Sequence, residues 1–244
     1  MPELAVLGLI YGTAGLLQGV VGFGFALLSV PLVAGIYDLP TAVIMNTVVG
    51  TANCAYKAWL LREQAEYRLV LQFFAAASLG VPVGVLAISR AAHGPAMIGL
   101  GLFVIVVAAA NLLSREGVGV AMRRSEGFWL LAGLTGLFAG AFSTPGPAAV
   151  PYFVGRSSRV ESAKANLQVF FTLAALPVIV FHSAAGNMSA TALARASLFL
   201  PLVLLLTFAG TRAARLLRAD RLRRVVDGGL IALGAYLILE QLAR

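Results

Sequence analysis

The sequence predicts an all-α membrane protein of two inverted repeats, each a re-entrant or broken helical hairpin followed by three transmembrane helices. Three observations carry that prediction. The 244 residues are 60% hydrophobic and 11% charged, against about 25% charged in an ordinary soluble domain. Six stretches, 41–61, 69–89, 96–113, 161–181, 193–210 and 225–242, approach the length of a bilayer span, which takes about 20 largely apolar residues. Two more apolar regions, 4–36 and 128–154, are too long for a simple span and are broken by Gly and Pro. A soluble protein with buried core helices does not fit, because so little charge cannot cover its surface.

The first region opens with Glu3 as the only charge in residues 1–4, so it lacks the basic start of a secretory signal peptide. It breaks near its middle at Val21-Gly22-Phe23-Gly24-Phe25, and the second region breaks at Ser143-Thr144-Pro145-Gly146-Pro147. Lipid cannot satisfy the free backbone groups of such a break, so each tip must be buried in protein or face a wet cavity. A helix that starts at a tip presents unpaired N–H groups and a positive dipole end, which suits an anion.

The chain repeats itself. Gly12, Gly15 and Gly19 recur 121 residues later as Gly133, Gly136 and Gly140. Pro31 and Asn46 recur 120 residues later as Pro151 and Asn166, and Gly84 matches Gly210 after a further insertion. One transporter domain, 1–244, thus divides into a first repeat, 1–114, and a second, 127–244.

Charge sets the orientation. If both broken regions enter and leave on one face, loops 62–68, 114–127, 155–164 and 211–224 share a side and hold 14 Lys and Arg. The other side holds Arg90, Arg195 and Arg244. If each region instead crosses once, the split falls to about 10 against 7. Basic loops stay in the cytoplasm, so the hairpin arrangement is preferred. Three true crossings per half then make the second copy inverted, a common plan of secondary transporters.

Polar residues within the apolar regions are the candidates for function, since each is costly in a bilayer. The expected substrate site is Gln18, Gly22, Gly24, Asn46, Ser143, Thr144, Gly146, Asn166 and Gln168. Asn46 and Asn166 lie early in equivalent helices, where their amides either meet a central anion or bond neighbouring helices. Ser29 and Thr172 read as hydroxyls satisfied by their own helix backbone. Lys57 reads as snorkelling to the interface, with attraction of anions as the alternative. Tyr56, Trp59, Tyr67 and Trp129 read as interfacial aromatics, and the basic run 212–224 as a topology determinant.

Several classes are disfavoured. The histidines, His93 and His182, are far apart, and Cys54 is single, so no metal site or disulfide is expected. There is no Walker A motif, H-E-x-x-H or paired acidic motif, so no enzyme and no cofactor are expected. The positive charge is accounted for by membrane orientation, so no nucleic acid is expected. The spans lack a central Asp or Glu, with Asp38 in a loop, Asp227 near a helix start and Glu240 near a helix end. That argues against an obligate proton pump. A monovalent anion leaving a cell at 100 mV, inside negative, gains about 2.3 kcal/mol, so facilitated export needs no coupling ion. A non-catalytic membrane subunit or assembly factor is the competing reading.

The glycine pattern resembles the sulfite exporter TauE/SafE family. The residues that carry it are Gly12-Thr13-Ala14-Gly15, Gly19, Gly22-Phe23-Gly24 and Pro31-Leu32 in the first half. In the second they are Gly133, Gly136, Gly140, Pro145-Gly146-Pro147 and Pro151-Tyr152, with a similar basic loop and last helix over 209–239. The family's run of three glycines is reduced here to Gly-Phe-Gly and replaced in the second half by Ser-Thr-Pro-Gly-Pro. The resemblance implies a multi-pass protein of the bacterial inner membrane that moves sulfite, sulfoacetate or another organosulfonate. The altered tips bear on that substrate, and a non-sulfur carboxylate is the alternative. The expected partners are a small anion and the lipid bilayer, with a homodimer left open.

Overall fold

The computed structural model describes residues 2–22, 24–113, 127–214 and 219–243. Phe23, the arginines of loop 114–127, and Arg215 and Arg218 of the basic run lie outside the described residues. All regular structure among the described residues is helical. In the first half the helices are α1 (Pro2–Val21), α2 (Phe25–Ala34), α3 (Leu39–Leu60), α4 (Tyr67–Ser78), α5 (Val81–Arg90) and α6 (His93–Leu113), with a short 3₁₀ turn at Arg62–Gln64. In the second they are α7 (Phe128–Phe142), α8 (Gly146–Arg156), α9 (Val160–Ala184), α10 (Ala190–Ser197), α11 (Leu200–Ala213) and α12 (Ala219–Leu242).

Local chemistry sets many of the boundaries. Asp38 caps α3 by accepting from Thr41 N at 2.9 Å, with proline in the first turn. Ser189 caps α10 through Ala192 N at 3.3 Å. Pro82 and Pro201 sit where a proline costs no hydrogen bond, in the first turns of α5 and α11. Gly24, at φ 101°, turns the chain into α2.

Five helical stretches are long and apolar enough to cross a membrane: Glu3–Val21, Tyr67–Arg90, His93–Leu113, Val160–Ala184 and Arg224–Leu242. The α10–α11 pair, bent by 42°, makes a sixth. This is a multi-pass membrane protein, but its spans differ from expectation in two places. The first arm of the 4–36 region is long enough to cross by itself, at 19 residues. The stretch 41–61 forms α3, continuous over 22 residues, yet is not among those six. Asn46, Thr47, Thr51, Asn53 and Lys57 lower its hydropathy, which α3 tolerates because much of it is covered by protein.

Glycine decides how the halves meet. The helix α1 of the first half packs on α11 of the second, and α7 of the second packs on α4 and α5 of the first. The helices α3 and α9 pack together at the centre, and α6 packs with α12. At Gly19 an added Cβ would fall 2.3 Å from Thr207 O and 2.8 Å from Gly210 Cα. At Gly136 it would fall 1.8 Å from Ala77 O. Membrane helices lack a hydrophobic drive to associate, so close backbone approach at small residues contributes much of their attraction. The repeated glycines thus mark two reciprocal contacts, each joining one half to the other.

Candidate substrate cavity

Each broken region folds back on itself, and each is latched where it exits. At one end of the bundle Arg195 Nη1 donates to Glu3 Oε1 at 2.9 Å and to Tyr37 OH at 3.2 Å, while Tyr37 OH donates to Glu3. The start of α1 and the end of α2 therefore lie side by side. At the far end of α3, about 33 Å away at 1.5 Å per residue, Glu66 holds the exit of the second region. Its carboxylate accepts from Ser158 N at 3.1 Å and from Asn166 Nδ2 at 2.9 Å. Glu66 N donates to Asn166 Oδ1 at 2.7 Å, and Asn166 Nδ2 also reaches Ser157 Oγ at 2.9 Å.

Hydrogen bonds from Ser158, then Asn166 and Ser157, outweigh desolvation and hold the Glu66 carboxyl below its usual value of 4.5. A depressed carboxylate contributes stability above its unfolded pKa and loses it as pH falls through the folded one. Thermal unfolding in detergent should therefore show Glu66→Gln to be less stable than the parent at pH 7. The difference should shrink below pH 4.5. A difference constant across that range would show that the carboxylate's charge is irrelevant to the latch.

The two tips face a single cavity of about 80 Å³. Its walls come from Gln18 of α1, Gly24 to Leu27 at the start of α2, and Asn46, Thr47, Gly50, Thr51 and Cys54 of α3. The opposite side is Ala139, the tip Ser143 to Pro147, and Phe171, Ala174, Ala175 and Val178 of α9. Among the described residues, no charged side chain lines it. The α3 contribution is centred on Gly50, the middle of that helix, so the cavity lies deep in the bundle.

Its polar side is one connected group. Asn46 Nδ2 donates to Ser143 Oγ at 3.3 Å, and Thr47 Oγ1 lies 2.9 Å from the same oxygen. Ser29 Oγ contacts the Asn46 amide and also Phe25 O at 2.7 Å, sharing one hydroxyl proton between them. Thr47 Oγ1 also donates to Val43 O at 2.8 Å, so its single proton is engaged there and Ser143 Oγ bonds both Asn46 and Thr47. Thr144 Oγ1 is bonded to Phe142 O at 2.8 Å. The helices α2 and α8 both begin at this cavity, neither with a side-chain cap, so their first-turn N–H groups have no partner within their own helices.

Six of the expected site residues line the cavity: Gln18, Gly24, Asn46, Ser143, Thr144 and Gly146. Three do not. Gly22 is tied to the other half by Gln168 Nε2, which donates to its carbonyl at 3.2 Å. Asn166 belongs to the Glu66 latch and does not mirror Asn46. Ser29 and Thr172 do bond their own helices, at 2.7 and 2.8 Å, although Ser29 also supports Asn46.

Other residues were misplaced or missed by sequence reasoning. Lys57 does not snorkel away; its Nζ donates to Gln18 O at 3.0 Å, in the last turn of α1. Asp227 lies in the third turn of α12 rather than near its start. It is 3% exposed and accepts from Asn111 Nδ2 at 3.2 Å, beside the first tip. Gly50, Cys54, Phe171 and Ala174 line the cavity without any polar signal that could have singled them out. Thr47 and Thr51 carried that signal but not its direction.

A family model described as sulfite exporter TauE/SafE matches residues 5–237. The chain belongs to the TauE/SafE family. A relative from Cupriavidus necator, named "Probable sulfite/organosulfonate exporter TauE", is 26% identical over 250 residues, covering 98% of this chain and 96% of the relative. No solved structure matches. The TauE/SafE match covers nearly the whole chain, including both tips.

Proposed function

We propose that the chain is a secondary transporter of a small anion, sulfite or an organosulfonate, held between the two hairpin tips near the membrane midplane. The observation that carries this is the convergence of both tips on one cavity, with α2 and α8 each starting there. Two positive helix ends, the Ser143 hydroxyl and the Asn46 amide can surround an anion without a formal charge. The volume favours a compact group. About 80 Å³ holds between two and three waters at about 30 Å³ each, enough for a sulfonate head but not for a drug-sized ligand.

The reciprocal packing of α1 on α11 and of α7 on α4–α5 supports an inverted-repeat arrangement, as do the latches at opposite ends of α3. In that arrangement the basic loops face the cytoplasm of a bacterial cell. Access alternates when one latch opens while the other holds. With no charged side chain in the cavity, the electrical gradient alone can drive export.

Purified protein should be stabilised by sulfite or a sulfonate over sulfate, chloride and carboxylates. Bound ligand adds about 2.7 kcal/mol at one hundred times its dissociation constant. In proteoliposomes, efflux of the selected anion should follow the membrane potential, persist without sodium or proton gradients, and survive Asp227→Asn. Preference for carboxylates would overturn the substrate. Strict dependence on sodium or protons would overturn uncoupled export.

A further inference from the structure

A second concavity lies on the outside of the bundle, between α4 and the second hairpin. It measures about 680 Å³ and is lined by Leu69, Gln72, Ala75, Ala76 and Leu79 on one side and Phe128, Trp129, Tyr152 and Arg156 on the other. From Leu69 to Leu79 it runs about 15 Å along the helix at 1.5 Å per residue. Ala75 and Ala76 make its floor shallow, and the aromatic rings form its wall. Trp129 is 67% exposed and Leu79 70%. Among the described residues, its one charged lining residue is Arg156, in the last turn of α8. Arg156 has no carboxylate partner among the described residues.

We propose that this groove binds one anionic phospholipid of the cytoplasmic leaflet, with its phosphate on Arg156 and an acyl chain along the alanine floor of α4. The shape and the charge agree on the occupant. A slot opening sideways from a membrane helix bundle is filled from the bilayer, and its alanine floor offers water no polar partner. The single guanidinium stands at the end where α4 and α7 begin and α8 ends. The basic-loop asymmetry assigns that end to the cytoplasm, where anionic headgroups concentrate. Guanidinium is suited to phosphate because it can donate two parallel hydrogen bonds. Trp129 and Gln72 lie beside the same slot, with an indole and an amide available to glycerol and ester oxygens. A lone arginine completing a helix dipole would explain the sign of the charge at this position. It would not explain a groove ten residues long beside it. The bound lipid would touch α8, the returning arm of the second hairpin, and so bear on the motion of that tip.

The test is lipid-dependent stability of the full chain in neutral detergent. Phosphatidylglycerol and phosphatidylcholine of identical acyl chains are titrated in, and the melting temperature is followed. The parent should show an apparent affinity about fivefold higher for phosphatidylglycerol, the scale of one interfacial charge. Arg156→Gln should abolish the preference, Arg156→Lys should keep most of it, and Ala75→Phe should weaken both lipids by filling the slot. Arg159→Gln removes the same charge outside the groove and should leave the preference intact. Equal affinity of the parent for the two lipids would overturn the proposal. So would a preference that survives Arg156→Gln, or one that falls equally in Arg159→Gln, which would indicate diffuse surface charge.

Discussion

Gly136→Leu should fail to give a folded protein, and Gly136→Ala should be destabilised by about 3 kcal/mol or more. Overpacking a core by a methyl or a few methylenes costs about 1–3 kcal/mol when neighbours can shift. Here they are backbone: the new Cβ would fall 1.8 Å from Ala77 O and 2.9 Å from Gly80 Cα. Two helices would have to separate, breaking the contact that joins α7 to the first half. Gly133→Ala is the matched control. It lies on the same helix, and its Cβ would meet nothing within 4 Å. Relief of glycine's helix penalty should make it neutral or more stable by up to about 1 kcal/mol. Melting temperature and yield of monodisperse protein in detergent measure both. Equal stability of Gly133→Ala and Gly136→Ala would show that the helices are not in contact at Gly136.

Ser143→Gly should leave the fold intact and cost about 10- to 100-fold in anion affinity. The residue sits at φ 52°, the only non-glycine with a positive φ among the described residues. Glycine adopts that conformation without strain, so the substitution removes the hydroxyl and keeps the turn. A hydrogen bond to a charged group contributes about 1.5–3 kcal/mol, and each 1.4 kcal/mol is tenfold. The choice of glycine separates a binding effect from a folding one, which alanine would not. Titration of the selected anion by stability shift or calorimetry, beside the melting temperature without ligand, reads both quantities. Unchanged affinity would remove Ser143 from the anion's contacts, leaving its bonds with Asn46 and Thr47 as purely structural.

Much of this was legible from sequence because it depends on local composition. Glycine recurring with its spacing preserved signalled a repeat, while the close helix contacts at Gly19, Gly136 and Gly140 came from the structure. The two tips were visible because Gly and Pro interrupt otherwise continuous hydrophobicity. Asn46 and Asn166 show where such reading stops. They occupy matching places in sequence, yet one faces the cavity and the other clamps a loop. Their neighbours differ, Ser143 of the opposite tip for Asn46 and Glu66 with Ser157 for Asn166, which no pairwise match of residues reveals. Lys57 and Asp227 show the same limit. Position along the chain placed Lys57 at the interface and Asp227 near a helix start, whereas bonds to Gln18 O and Asn111 hold them against protein.

By itself the sequence determined that the chain lies in a membrane and that two of its apolar regions are broken at known places. Those properties follow from transfer of side chains into lipid and from backbone groups that must be satisfied there, residue by residue. Only the tertiary structure decided which polar groups share a cavity. Asn46 and Ser143 are 97 residues apart, and they meet because α3 of one half crosses the tip of the other. That meeting is set by how closely backbones can approach at Gly19, Gly136 and their partners, a property of packed pairs of helices that no single segment carries.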